Sequence, residues 1–253
     1  GALTAGLYAE LDEILLPGRT ELEAAGQLLA RAMGKGALNL VRARAPYVDL
    51  YAWHLVSGPE ANRPSAVDAP FSGLGPWPAF PLGAGHKRLK PGEPIIVDVG
   101  LCLHGYLTDQ TRTYCLGPAP RELHQAHQCL EEVQRAILER LRPGAVSGEI
   151  FAAAVETARG LGYGESFLGP PDSRIRFVGH GVGLELGSPP YLLEGSPAEV
   201  RAGEVYALEL KIVLPAGPVG LENTVAVAQS GPPQVLTPIP EKLHELPLAA
   251  RPR

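Results

Sequence analysis

The sequence predicts an α+β protein made of two halves with the same layout, each with an antiparallel sheet and helices packed on one face. Three observations predict this fold class. Two helical segments precede a set of strand segments, and this order occurs twice along the 253 residues. Each half ends in a predicted β-hairpin, and each hairpin carries two acidic residues. No short sequence repeat accompanies the order, so we expect the halves to share a layout but not a sequence.

The first half opens with two helical segments. The first is predicted to run to about Leu16, because a Pro-Gly pair follows it. Thr20 caps the second helix, which continues to Gly34. Acidic residues occupy the first turn of this second helix, where the helix dipole favours negative charge.

Strand signals follow these helices. Residues 46–58 are rich in β-branched and aromatic side chains, which predicts a strand, and residues 60–85 form a long loop rich in Pro, Gly and Ala. Apolar segments at 94–99 and 106–116 lie on either side of Gly105. This arrangement predicts the first hairpin.

The second half repeats the order. Apolar residues recur at helical spacing over residues 120–141, which predicts the longest helix of the chain. Ser147 caps a further helix that reaches Gly162. Three strands are then predicted, at 176–186, 205–214 and 221–228. The last two form the second hairpin.

Composition excludes several classes of protein. The net charge is −5 and the basic residues are scattered, so the sequence indicates no nucleic-acid surface. No apolar stretch is long enough for a membrane helix, so we expect no membrane partner. The three cysteines have no CxxC spacing, which suits a reducing, cytoplasmic location. We expect one domain over residues 1–253, with a segment upstream of residue 1, because the chain starts without Met inside a predicted helix.

Four acids lie inside apolar strands. Asp98 and Asp109 lie on the two strands of the first hairpin, and Glu209 and Glu222 lie on those of the second. A carboxylate in an apolar strand costs several kcal/mol unless it is paired or bound to a metal. Two carboxylates on neighbouring strands repel each other unless a cation lies between them.

One histidine completes this set. His180 is flanked by glycines in VGHGVGLEL, so backbone can pack closely around its imidazole. Taken singly, an acid near a hairpin end is more typical of a turn, and a lone histidine is more typical of the core. The joint occurrence of all five residues favours a site for two divalent ions about 3.5–4 Å apart.

The segments around these residues resemble a known superfamily. GEPIIVDVGLCLHGYLTDQTRTYCLG, VGHGVGLEL and GEVYALELKIV–GLENTVAV are similar to the Xaa-Pro peptidase, methionine aminopeptidase and creatinase superfamily, and the similarity covers nearly the whole chain. TDQTRTY resembles the second-aspartate motif of the Xaa-Pro peptidase branch. The resemblance implies the pita-bread fold and a peptidase that acts on peptides with proline in the second position. It also implies a homodimer.

The resemblance also implies a role for each ligand. Asp98 would chelate one metal ion, His180 and Glu209 would hold the other, and Asp109 and Glu222 would bridge the two. Glu209 would also be the catalytic residue that moves the proton of the attacking water. The ions would be Mn²⁺, Co²⁺ or Zn²⁺, and a ligand set rich in oxygen suits Mn²⁺ without excluding zinc.

Four positions depart from the family pattern. Two histidines are absent, because Gly187 and Pro81 occupy the positions where the family has them. Leu210 replaces the proline that usually follows the metal-binding glutamate, and Gly220 replaces a common arginine. Losing one donor to the transition state costs about 10²–10³ in rate.

Other histidines and aromatic residues of the sequence could contribute to the site. His86 lies five residues beyond the expected site and His54 lies on a predicted strand, but a loop residue and a core residue are the more ordinary interpretations. Trp77 and Phe80 could line a substrate pocket or pack against the sheet. His124 and His127, three residues apart on the long helix, are expected at the surface.

Two alternatives to a peptidase stay open. A metal-binding homologue with weak or no peptidase activity is favoured by Gly187, Pro81 and Gly220 and opposed by the complete set of ligands. A hydrolase of a non-peptide C–N bond, as in the creatinase branch, would keep catalysis and change the substrate. A methionine aminopeptidase is a poorer fit, because TDQTRTY and the long Pro/Gly-rich loop resemble the other branch.

Overall fold

The computed structural model describes residues 1–38, 53–63 and 70–248. The helices are α1 (Ala2–Tyr8), α2 (Leu11–Ile14), α3 (Glu21–Gly34), α4 (Arg121–Leu138) and α5 (Ser147–Gly160). The strands are β1 (Trp53–Ser57), β2 (Pro94–Leu103), β3 (Tyr106–Leu116), β4 (Phe177–Val182), β5 (Leu186–Leu193), β6 (Val205–Leu214), β7 (Gly217–Ala226), β8 (Gln234–Val235) and β9 (His244–Leu246). Part of the predicted strand 46–58 and part of the loop 60–85 lie outside the described residues.

The strands form two sheets, one in each half. The first has the order β1-β2-β3-β9 and the second has the order β5-β4-β6-β7-β8. Both predicted hairpins are present, as β2–β3 and β6–β7, and both are antiparallel. One pair departs from the predicted antiparallel arrangement, because the C-terminal strand β9 runs parallel to β3.

Each half has its own apolar core. Residues of α1, α2 and α3 pack with residues of β1, β2 and β3 in one cluster of buried side chains. Residues of α4 and α5 pack with residues of β4, β6 and β7 in a second cluster. The predicted layout of two α+β halves is therefore confirmed, since the helices of each half cover their own sheet.

The two sheets meet along β3 and β7, where side chains replace a backbone ladder. Thr113 Oγ1 donates to the carbonyl of Gly220 and accepts from its N–H, both at 2.8 Å. Thr224 Oγ1 makes the equivalent pair of bonds with the backbone of Asp109, at 2.8 and 2.9 Å. A Cβ atom at position 220 would lie 2.8 Å from Thr111 Cγ2. This close approach accounts for glycine where the family commonly has arginine.

Several element boundaries differ from the predictions. The first predicted helix is divided into α1 and α2. Thr20 caps α3 in a capping box with Glu23, as its sequence predicts. Ser147 does not cap α5, because its hydroxyl instead donates to the carbonyl of Tyr191 at 2.8 Å. Strand β5 was not predicted, since its Gly- and Pro-containing sequence lacks a strand pattern.

In the described residues, no helix is both long enough and apolar enough to span a membrane.

Candidate metal centre

The two hairpins and β4 position the predicted ligands. Glu209 on β6 lies directly opposite Glu222 on β7 in the register of the second hairpin. His180 on β4 pairs with Ala207 of β6, two positions before Glu209. Asp109 is delivered from the other sheet by β3, where the Thr224 hydroxyl binds its backbone. The site therefore lies where the two halves of the molecule meet.

Four of the five predicted residues converge. Asp109, His180, Glu209 and Glu222 are all buried, and each offers one ligand atom within 4.8 Å of the others. His180 Nε2 lies 3.4 Å from Glu209 Oε1 and 3.6 Å from Asp109 Oδ2. These separations leave the donors facing a common point between the sheets.

Asp98 is outside this group of four. Its carboxylate contacts Lys211 instead, with 3.5 Å between Asp98 Oδ2 and Lys211 Nζ. His54 Nδ1 lies 3.9 Å from the same oxygen. The structure thus brings four predicted ligands together and places the fifth beside a cation from the protein itself.

Lys211 was not identified by the sequence reasoning. It is buried, and its ammonium forms an ion pair with Glu209 Oε2 as well as with Asp98. A signal for it exists in the sequence, because residues two apart on a strand share a face. Lys211 follows Glu209 by two positions on β6, so the same alternation that directs Glu209 into the site also directs Lys211 there.

Burial and neighbouring charges alter the acidity of the cluster. Burial, followed by the charge of Asp98, raises the pKa of Asp109 to about 8. Burial, followed by the charges of Asp109 and Glu209, raises the pKa of Glu222 well above its usual range. Burial acts in the same direction on Glu209, but Lys211 and His180 outweigh it and hold the pKa of Glu209 below its usual range. Glu209 is therefore the carboxylate that stays ionised most readily.

The four convergent residues fit a divalent ion. Thr111 donates to Glu222 Oε2 at 2.7 Å, whereas Glu222 Oε1 is buried without a hydrogen-bond partner among the described residues. A buried carboxylate oxygen without a partner is costly, and a bound cation would satisfy it. Three carboxylates and one imidazole also form a common ligand set for divalent metals.

The other residues singled out from the sequence fall in different places. His54 is beside Asp98, and its Nε2 lies 3.1 Å from the carbonyl of Ser72. His86 and Trp77 line a surface cavity of about 770 Å³, and none of the five predicted ligands is among the described residues that line it. Trp77 is 59% exposed, so core packing is excluded for this side chain, and Phe80 is partly exposed.

The long helix α4 differs from expectation at one histidine. The side chain of His124 is 45% exposed, in accord with the predicted surface position, and contacts Glu245. His127 is buried and its Nδ1 lies 3.1 Å from Glu131 Oε1, so the surface prediction for His127 is wrong. The reason is helical phase, because His127 falls on the face that carries Leu123 and Leu130 into the core.

Replacing Glu222 by glutamine is expected to raise the free energy of unfolding of the metal-free protein and to reduce the stabilisation that added metal provides. Because the pKa of Glu222 is raised in the folded protein, the free energy of unfolding falls as pH rises above the carboxyl pKa of the unfolded chain. At neutral pH the parent bears this loss of stability and the variant does not. We expect the metal-free Glu222→Gln protein to gain on the order of 1 kcal/mol at pH 7. The stabilisation by added Mn²⁺ should fall by more than half, because one donor is weakened.

Urea unfolding in EDTA and in excess Mn²⁺ measures both effects. Glu156→Gln on the exposed face of α5 is the matched control and should change neither value. A Glu222→Gln protein with unchanged metal-free stability and a full response to Mn²⁺ would contradict the assignment of Glu222 to the metal centre.

Comparison with known proteins identifies the family. The family model of metallopeptidase family M24 matches residues 1–229. The probable dipeptidase PepE of Mycobacterium bovis is 28% identical over 235 residues, which cover 91% of this chain and 53% of that protein. The Xaa-Pro dipeptidase of Pyrococcus furiosus is 30% identical over 155 residues, which cover 60% of this chain and 42% of that protein.

A solved structure agrees with this result. The crystal structure of dipeptidase PepE from Mycobacterium ulcerans superimposes with a TM-score of 0.78 at 25% sequence identity, covering 98% of this chain and 58% of that one. The chain thus spans about half the length of the relatives that it matches. The family match and the shared architecture establish that this chain belongs to metallopeptidase family M24 and has the pita-bread fold.

Proposed function

We propose that this chain carries the active site of a metal-dependent peptidase that hydrolyses the bond between an N-terminal residue and proline. The observation that carries the proposal is the convergence of Asp109, His180, Glu209 and Glu222 on one buried point. The names of two relatives, a probable dipeptidase and an Xaa-Pro dipeptidase, support a short peptide as substrate.

The four convergent residues would hold a divalent ion, and Mn²⁺, Co²⁺ and Zn²⁺ are the candidates. A divalent ion supplies a Lewis acid that polarises a carbonyl and makes a water more acidic. The predicted pair of ions also requires Asp98 as a ligand, and Asp98 contacts Lys211 instead.

Glu209 is the residue that we propose to move the proton. Lys211 and His180 hold the pKa of Glu209 below its usual range, so its carboxylate is ionised despite burial and is available as a proton acceptor, while the same charges lower its basicity. It then returns that proton to the proline nitrogen as the peptide bond breaks. Asp109 on β3 and Glu222 on β7 lie on facing strands of the two sheets, so they would hold the divalent ion between the two halves.

A metal-binding homologue without peptidase activity is the second candidate. It is favoured by Gly187, Pro81 and Gly220, where the chain departs from the family pattern. It is also favoured by the ion pair between Lys211 and Glu209, which competes for a carboxylate that the reaction needs. In this alternative the metal centre would serve binding. The cytoplasmic location and the homodimer stay predictions from the sequence and the resemblance.

Peptide hydrolysis after metal loading tests the proposal. The purified chain is loaded in turn with Mn²⁺, Co²⁺ and Zn²⁺ and assayed with Xaa-Pro dipeptides, longer Xaa-Pro peptides and peptides that begin with Met. We expect metal-dependent release of the residue ahead of proline, and no release by a Glu209→Gln variant. Bound metal without turnover of any of these peptides would reject the peptidase and favour the binding protein or a hydrolase of another C–N bond.

A further inference from the structure

Lys211 is an unusual neighbour for a metal centre. Its side chain is 4% exposed and lies on the same face of β6 as Glu209. In the register of the second hairpin it is opposite Gly220, which has no side chain. The lysine is therefore directed into the space between the sheets by the strand that also carries a candidate ligand.

The contacts of the ammonium account for its burial. Lys211 Nζ forms ion pairs with Glu209 Oε2 and with Asp98 Oδ2, and it lies 5.4 Å from the centre of the Phe71 ring. A buried ammonium is stable only when its charge is compensated, and two carboxylates and an aromatic face compensate it here. Lys211 is therefore part of a buried cluster of charged groups, and its ion pairs differ from solvated ion pairs at the surface.

The Lys211 ammonium lies beside Asp98, the carboxylate that a second divalent ion would need as a ligand. A two-ion centre of the implied kind uses Asp98 as the chelating carboxylate of one ion. Asp98 is outside the group of four convergent donors, and its oxygen faces Lys211 and His54. A divalent ion placed beside Asp98 would meet a fixed positive charge at close range, and like charges in a buried site repel strongly.

The remaining donors are sufficient for one ion. Asp109, His180, Glu209 and Glu222 converge without Asp98, and the partnerless oxygen Glu222 Oε1 belongs to this group. Glu209 can serve both cations, because Oε1 faces His180 and Oε2 faces Lys211. The position of the divalent ion is thus distinct from that of the ammonium, and Lys211 occupies the second position.

We propose that the Lys211 ammonium replaces one of the two metal ions, so that the chain binds a single divalent ion through Asp109, His180, Glu209 and Glu222. The inference rests on the metal binding in the proposed function. It does not depend on peptidase activity, because the number of bound ions is measured without substrate.

The stoichiometry of the whole chain is the direct test. The protein is freed of metal with a chelator, titrated with Mn²⁺ and analysed by elemental analysis and calorimetry. We expect one ion per chain at saturation and an electron paramagnetic resonance spectrum of isolated Mn²⁺. Two ions per chain, or the spectrum of a spin-coupled pair, would overturn the proposal.

Variants of two residues sharpen the test. Lys211→Ala removes the charge and opens space, so we expect it to bind a second Mn²⁺, whereas Lys211→Arg keeps the charge and should bind one. Asp98→Asn should still bind one ion, because Asp98 is not its ligand. Loss of the bound ion in Asp98→Asn would contradict the proposal, as would one ion in a folded Lys211→Ala protein.

The outcomes separate this proposal from the proposed function. One bound ion without hydrolysis supports the role of Lys211 and rejects only the peptidase. Absence of any bound ion in the parent at saturating Mn²⁺ overturns both. Circular dichroism of each variant shows that the comparison is made between folded proteins, and the parent titration requires no variant.

Discussion

Replacement of Arg112 by methionine is expected to lower the free energy of unfolding by about 3–5 kcal/mol. Arg112 is fully buried on β3, and its guanidinium connects the two halves of the molecule and the C-terminal segment. It donates hydrogen bonds at 2.6–3.0 Å to four backbone carbonyls and one side-chain amide oxygen: those of Thr111, Glu222, Ile239 and Pro240, and Asn223 Oδ1.

Methionine fills much of the same volume but donates none of these bonds. The buried carbonyls would lose their donor, and each unsatisfied buried polar group costs about 1–3 kcal/mol. The bond to the carbonyl of Glu222 also holds β7 beside β3, so the loss should extend to the metal centre. Urea unfolding in EDTA, where bound metal cannot contribute, measures the change as a lower midpoint with the same slope.

A matched arginine on the surface controls for the substitution itself. Arg135 on α4 is exposed and pairs only with Glu132 in the described part of the chain, three positions earlier. We expect Arg135→Met to change stability by no more than about 0.5 kcal/mol. An Arg112→Met protein that loses less than about 1 kcal/mol would show that the guanidinium does not hold the halves together.

The Glu209→Gln substitution is expected to lower kcat/KM by about 10²–10⁴ for any peptide that the parent cleaves. Glutamine is nearly the same size as glutamate, but it cannot accept a proton. It also offers Lys211 a neutral oxygen in place of a carboxylate, so the lysine keeps only Asp98 as a charged partner among its described contacts. The effect should appear mainly in kcat, because proton transfer belongs to the transition state.

Metal binding has to be held constant in this comparison. Glu209 is also a candidate ligand, so both proteins are assayed at Mn²⁺ concentrations that elemental analysis shows to be saturating. Glu156→Gln on the exposed face of α5 should retain the parent rate. A metal-saturated Glu209→Gln protein within tenfold of the parent would exclude Glu209 as the proton carrier.

Local pattern was sufficient for most of the fold. Apolar segments on either side of a turn that contains glycine predicted both hairpins, and β6 begins and ends at the predicted residues 205 and 214. Helical spacing of apolar residues predicted α4, and Thr20 followed by acidic residues predicted the start of α3. These features depend on neighbours in the chain, which is why a single sequence discloses them.

The candidate site was predictable in its components and not in its arrangement. Acids inside apolar strands indicated a cation site, and three of the four converge with His180, while Asp98 lies close by and contacts Lys211. The pairing of Asp98 with Lys211 was not predicted, because it joins β2 of one half to β6 of the other. Such a contact depends on how the sheets pack, and 113 positions separate the two residues.

The amino-acid sequence was therefore enough to predict the two α+β halves, their hairpins and the family, since each follows from short-range periodicity or from motif residues that resemble those of the family. Tertiary packing alone decided two further features. It required glycine at position 220 beside Thr111, and it placed the Lys211 ammonium against Asp98. The physical reason is common to both, because each depends on the distance between segments that are remote in the chain.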